Sequence, residues 1–133
     1  MSREREQKDV AVYWMGKAKE SLTSARLEYS QGHLSFSINR LYYAVFYALS
    51  SILSLRGLSY GKHAAVRASF HRDFVKTGIV PEEMGKLFDR LFYDRQKGDY
   101  VALTAFDSNI VKEEIEQVEA FIAIFEGILD KEQ

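Results

Sequence analysis

The chain has no cysteine, one proline and three histidines among 133 residues. Without cysteine there is no disulfide, no thiolate nucleophile and no cysteine metal site. Three scattered histidines make a poor transition-metal set. No Glu-x-x-His or His-Glu-x-x-His spacing occurs, so neither a di-iron carboxylate bundle nor a zincin is expected, and no metal ligand is assigned. There is no glycine-rich phosphate loop of the P-loop or dinucleotide type. A nucleophile elbow of the Gly-x-Ser-x-Gly kind is not expected either. The net charge is −1, so bulk charge gives no reason to expect nucleic acid as a partner. The longest nearly apolar run, residues 41–55, lies between Arg40 and Arg56 and is too short to span a bilayer. The opening residues, Met1-Ser2-Arg3-Glu4-Arg5-Glu6, are too charged for a signal peptide. Together these absences lead to an expected cytoplasmic location away from membranes.

What is present is a core. The apolar fraction is 47% and the aromatic fraction 14%, and a chain of this length can bury roughly two thirds of the surface its unfolded state exposes. One domain over residues 1–133, with a core of about 9–130, is the expectation. Few breakers and clear 3.6-residue periodicity predict an all-α, up-and-down bundle of four to five antiparallel helices. The first helix, about 9–31, carries Trp14, Ala18, Leu22, Ala25 and Tyr29, and Gly32 ends it. The second, about 35–55, is apolar nearly all round and so should be central, with Gly57 as its stop. The third covers about 61–76. The fourth opens at Pro81 with Glu82 and Glu83 in its first turn, and its stripe is Met84, Leu87, Phe88, Leu91 and Phe92. The fifth, capped by Asp107, Ser108 or Asn109, carries Val111, Ile115, Val118, Ile122, Phe125 and Leu129.

Charge is unevenly spread. Residues 56–78 have a net charge of +4 and residues 107–133 one of −6. These are either two solvated helix faces or a basic surface for a phosphate-bearing partner beside an acidic one. If the third and fourth helices pack antiparallel across their short turn, Lys62 and His63 meet Arg95, Asp99 and Tyr100 at one end of the bundle. Arg95 extends the stripe of Phe88, Leu91 and Phe92, so it should be partly desolvated and need an anionic partner. Asp99 is the nearest candidate, and a phosphate is the functional alternative. Arg40, on one stripe with Tyr43 and Tyr47, should by alternation of helix direction sit at the opposite bundle end. Tyr42, Tyr43 and Tyr47 read as core rather than as a stacking platform. His33 and His71 read as exposed and uninvolved.

The segment Ser37-Ile38-Asn39-Arg40-Leu41-Tyr42-Tyr43-Ala44-Val45-Phe46-Tyr47-Ala48 resembles the second-helix signature of small prokaryotic HEPN-domain proteins (higher eukaryotes and prokaryotes nucleotide-binding). Lys62-His63 followed by Phe70 and Asp73-Phe74-Val75-Lys76-Thr77-Gly78 fits the same family, as does Tyr93-Asp94-Arg95-Gln96-Lys97-Gly98-Asp99-Tyr100. The resemblance covers about residues 9–130. It implies a helical homodimer. Many members are metal-independent ribonucleases, so no cofactor is expected. They often act as toxins beside a minimal nucleotidyltransferase partner that can add AMP to a HEPN tyrosine. The family's catalytic motif is Arg, four to six residues, then His. Arg95 matches the arginine, but Tyr100 stands where the histidine belongs, and a tyrosine is a poor general base at neutral pH.

Three readings follow. The first is a dimeric HEPN component of a nucleotidyltransferase pair, binding nucleotide or RNA through Lys62, His63, Arg95 and Tyr100 without cutting. The second is a ribonuclease in which Arg95 stabilises the phosphorane, a relocated His63 moves the proton and Asp99 orients one of them. The third is a purely structural bundle whose fifth helix is an acidic interaction surface. Tyr100, and after it Tyr93, are the candidates for modification.

Overall fold

The computed structural model describes residues 2–100 and 105–133, and the side chains of Asp99 and Tyr100 lie outside the described set. The elements are α1 (Ser2–Ser30), α2 (Leu34–Leu55), α3 (His63–Phe70), a π-helical turn (His71–Val75) that continues α3, α4 (Glu82–Tyr100) and α5 (Ser108–Glu132). No strand occurs among the described residues. α1 starts at Ser2 rather than near residue 9, because its first turns are polar all round and apolar periodicity cannot mark them. α1 and α2 end in the same way. Gly32 and Gly57 adopt φ values of 78° and 74°, which only glycine takes without strain. The next amides then reach back five residues, His33 to the Glu28 carbonyl at 2.9 Å and Leu58 to the Leu53 carbonyl at 2.8 Å. Of the three expected caps of α5, Asp107 takes the position, and its carboxylate accepts the amides of Asn109 and Ile110.

α2 is the central helix, with Leu41, Tyr42, Val45, Leu49 and Ile52 fully buried. Small residues let α1 approach it closely. Three serine hydroxyls tie the two backbones together: Ser21 donates to the Arg40 carbonyl, Ser37 to that of Ala25 and Ser51 to that of Ala11. The α5 stripe expected from the sequence is buried throughout. Its Phe121 and Phe125 stack at 4.6 Å and meet Phe70 of α3 and Phe74 of the π-turn.

The direction of each helix follows from its contacts. Lys19 pairs with Glu126 and Arg26 with Glu119, so α1 and α5 are antiparallel. Arg56 just after α2 pairs with Glu132 at 2.9 Å, so α2 and α5 are parallel and end together. Arg67 lies over Phe92 and Tyr93 while His71 and Val75 lie against Gly85, so α3 and its π-turn run antiparallel to α4, as expected. Strict alternation fails at one step. Residues 56–62 double back along α2, and His63 stacks on Phe46, 4.3 Å away, and lies near Tyr42 and Tyr43. That is a return of about 14–20 Å along the axis, within reach of a seven-residue extended connection. α3 therefore runs parallel to α2. The consequence is that α4 ends beside the start of α2, where a Cβ on Gly98 would stand 3.2 Å from that of Ser35.

This corrects the expected place of Arg40. It lies one turn before Tyr43, about 4.5 Å along α2, and Tyr43 is in contact with Arg95. Arg40 and Arg95 thus occupy the same end of the bundle. Arg40 faces α1, with Nε donating to the Ser24 hydroxyl and Nη1 to the Asn39 side-chain carbonyl.

Candidate functional site

Three helices bring His63, Arg95 and Tyr42 to one point. The Tyr42 hydroxyl is 2.8 Å from His63 Nδ1. The Arg95 guanidinium lies over the Tyr42 ring at 4.7 Å and over Tyr43 at 5.7 Å, a cation–π geometry worth about 0.5–2 kcal/mol depending on desolvation. The reason lies in the helix register. Tyr42 falls on the buried stripe of central α2, and burial leaves its polar tip in need of a partner. α3 begins opposite that tip, and α4 delivers Arg95 one turn beyond Phe92.

The electrostatics follow from this packing. Tyr42 has no exposed surface. Burial pushes its phenol above its ordinary pKa, with the Arg95 charge pulling the other way, so the hydroxyl keeps its proton. His63 is half-buried. Burial and then the Arg95 charge both hold its imidazole below the ordinary histidine value, so the ring is neutral at pH 7. The neutral ring carries one hydrogen, so two arrangements fit the contact: Tyr42 donates to Nδ1 and the ring hydrogen sits on Nε2, or Nδ1–H donates to the Tyr42 oxygen and Nε2 is an acceptor. In the first arrangement Arg95 and His63 are two donors suited to an anion.

Of the other residues singled out from the sequence, Lys62 directly precedes α3 and is exposed beside His63. Asp99 and Tyr100 close α4, and their side chains lie outside the described residues, so the Arg95–Asp99 pairing does too. Tyr93 is half exposed, with the Arg67 guanidinium 5.1 Å from its ring. His33 is exposed and pairs with Glu28. His71 departs from its expectation. It is half-buried, and its Nε2 shares Asp89 Oδ1 with Arg67 at 2.8 and 2.7 Å. Burial pushes the Asp89 carboxyl up, but these two partners outweigh it and hold it below its ordinary value. Tyr42 is core, as its stripe predicts, but its hydroxyl and ring also hold His63 and Arg95 together. A phenol on a fully buried stripe was the available signal.

One further correction concerns residues 57–61, which spell Gly-Leu-Ser-Tyr-Gly. They match the string of a nucleophile elbow. They link two helices, however, and the elbow needs a sharp strand-to-helix turn. Among the described residues no group of three or more His, Asp or Glu side chains is arranged to hold a metal ion. No described helix is long and apolar enough to cross a membrane.

Comparison with known proteins fits this architecture. Residues 11–128 match the HEPN domain. A UPF0332 protein of Thermotoga maritima is 40% identical over 125 residues, 94% of this chain and 95% of the relative. A protein of Methanocaldococcus jannaschii named as a candidate toxin is 30% identical over 100 residues, 75% of this chain and 65% of the relative. A UPF0332 protein of Pyrococcus horikoshii is 37% identical over 68 residues, 51% of this chain and 48% of the relative. With the domain match spanning all but the two ends, the chain belongs to the HEPN-domain family.

Proposed function

We propose that this protein binds a phosphate of RNA or of a nucleotide between Arg95 and His63, as a homodimeric HEPN component paired with a minimal nucleotidyltransferase. The observation that carries the reading is the meeting of His63 and Arg95 on Tyr42, at 2.8 Å and 4.7 Å. The planar guanidinium and the Nε2–H make complementary donors for phosphate oxygens. Exposed Lys62 adds a charge beside His63, and Tyr100 closes α4, the helix that carries Arg95. Tyr100 in place of the motif's histidine favours binding over cleavage, and Nε2 is a donor when Tyr42 donates to Nδ1.

A ribonuclease is the second reading, and one observation favours it: the same imidazole is held neutral, which a proton acceptor requires. In that case the RNA 2′-hydroxyl attacks the adjacent phosphorus and the 5′-oxygen leaves. Arg95 would stabilise the phosphorane, His63 would move the proton and Asp99 would orient one of them. The toxin name of the Methanocaldococcus relative agrees with either reading as one half of a pair. In such a pair, Tyr100 is the first candidate for AMP transfer and exposed Tyr93 the second.

The test is labelled mixed-sequence RNA in chelator with wild type, Arg95→Ala and His63→Ala. The expected result is binding without cleavage, weakened about tenfold or more in Arg95→Ala, the worth of a hydrogen bond to a charged group. Cleavage by wild type and by neither variant would establish the ribonuclease instead. Binding untouched by both substitutions would remove the site. Light scattering should give the mass of a dimer, and intact-mass analysis after co-expression with a nucleotidyltransferase should show added AMP.

A further inference from the structure

A cavity of about 170 Å³ lies between α1, α2, the 56–62 connection and α3. Its walls are largely rings and aliphatic groups, with Trp14, Phe46, Tyr60 and Val66 among them, and the hydroxyl-bearing Ser54 and Ser59 at its lining. Phe46 is shared: it lines the cavity, and its ring stacks on His63 at 4.3 Å and 26°. Trp14 is held in place by Tyr47, stacked at 5.3 Å and 25°. The phosphate site and the cavity therefore share Phe46 as a common wall residue.

We propose that the Trp14–Phe46–Tyr60 cavity is a subsite for one unpaired nucleobase, whose flanking phosphate rests on Arg95 and His63. The inference rests on the phosphate reading above and adds the class of nucleic acid. The volume is below the roughly 300–1,000 Å³ of a site for a drug-sized ligand, so it admits one ring system and not a whole nucleotide. Aromatic walls supply stacking, which every base accepts, and serine hydroxyls can reach the hydrogen-bonding edge of a base. A base inside a duplex is stacked and paired on both strands and cannot enter. The substrate class is single-stranded RNA, or a loop whose base is splayed out.

Trp14 is the chain's one tryptophan, so its fluorescence reports directly on this cavity. The experiment titrates the full-length protein with a single-stranded RNA hexamer and with an abasic backbone of the same length. Trp14 fluorescence and the anisotropy of labelled probe are followed together. The RNA should quench Trp14 and bind about 5- to 100-fold more tightly than the abasic backbone, the worth of one stacked base. Tyr60→Ala and Trp14→Leu, with folding checked by circular dichroism, should shrink that preference and leave abasic binding unchanged. Arg95→Ala should weaken both probes while keeping the quench at saturation. Equal binding of the two probes with Trp14 unmoved would overturn the base subsite and leave the phosphate site standing. Binding of neither probe would overturn both. A quench whose affinity ignores Arg95→Ala would keep the subsite and remove the phosphate reading.

Discussion

Glu114 and His63 are two titratable side chains whose burial pulls stability in opposite directions with pH. Glu114 on α5 is 2% exposed, with Arg90 Nε 3.6 Å from its Oε2. Burial pushes its carboxyl up to about 7; Arg90 opposes this and Asp94 adds to it. Between about 4.5 and 7 the native state then binds more protons here than the unfolded chain, so this contribution falls as pH rises through that window. Glu114→Gln should flatten the fall, gaining about 2–3 kcal/mol at pH 8 relative to pH 4. Urea melts across pH measure it, and an unchanged slope would refute it. His63 has the reverse sign. Its lowered value means the native state binds fewer protons just below pH 6.5, so its contribution rises as pH climbs through that window. Because Arg95 is one of the two causes, Arg95→Ala should move the His63 pKa back toward its ordinary value. An NMR titration of the imidazole ring reads this, and a pKa that stays low would assign the shift to burial alone.

At the scale of the element, caps and the π-turn are the sensitive points. Asp107→Ala removes the carboxylate that accepts two α5 amides, and should cost about 1 kcal/mol in a chemical melt, with a cost near zero contradicting the cap. The π-turn is fixed by the Lys76 amide reaching the His71 carbonyl at 2.9 Å. It presses His71 and Val75 against Gly85, where a Cβ would stand 3.0 Å from His71 Cε1 and 3.2 Å from Val75 Cγ2. Glycine to alanine inside a helix ordinarily gains about 1 kcal/mol. Gly85→Ala should instead lower the melting temperature, because the imidazole it displaces is tied to Asp89. A rise in melting temperature would show that the π-turn yields freely.

For the whole molecule, the load falls on rings shared between α3, its π-turn and α5. Phe125 is fully buried and lies 4.6 Å from Phe121 and 5.6 Å from Phe74. Phe125→Ala should cost about 3–5 kcal/mol with the urea slope unchanged. It should also leave RNA affinity of the folded fraction intact, since the rings of Phe70 and Phe88 stand between it and Tyr42. A loss below about 1 kcal/mol would mean that the core collapses around the gap.

The helices were legible in the sequence because burial on one face imposes a 3.6-residue period. The α5 stripe from Val111 to Leu129 and the central role of α2 could be read directly. The glycine stops and the Asp107 cap are equally local, since backbone sterics and one carboxylate decide them. The end-on meeting of His63 with Arg95 also followed from a short turn between α3 and α4. What sequence could not decide was the path of residues 56–62. Extended chain can either continue the alternation or fold back, and the choice depends on which rings His63 and Phe74 find already in place. That choice made α3 parallel to α2, carried Arg95 to the same end as Arg40, and gave the buried Tyr42 hydroxyl its partner. Local chemistry is written residue by residue, whereas a site assembled from three helices exists only once long-range packing has selected one register.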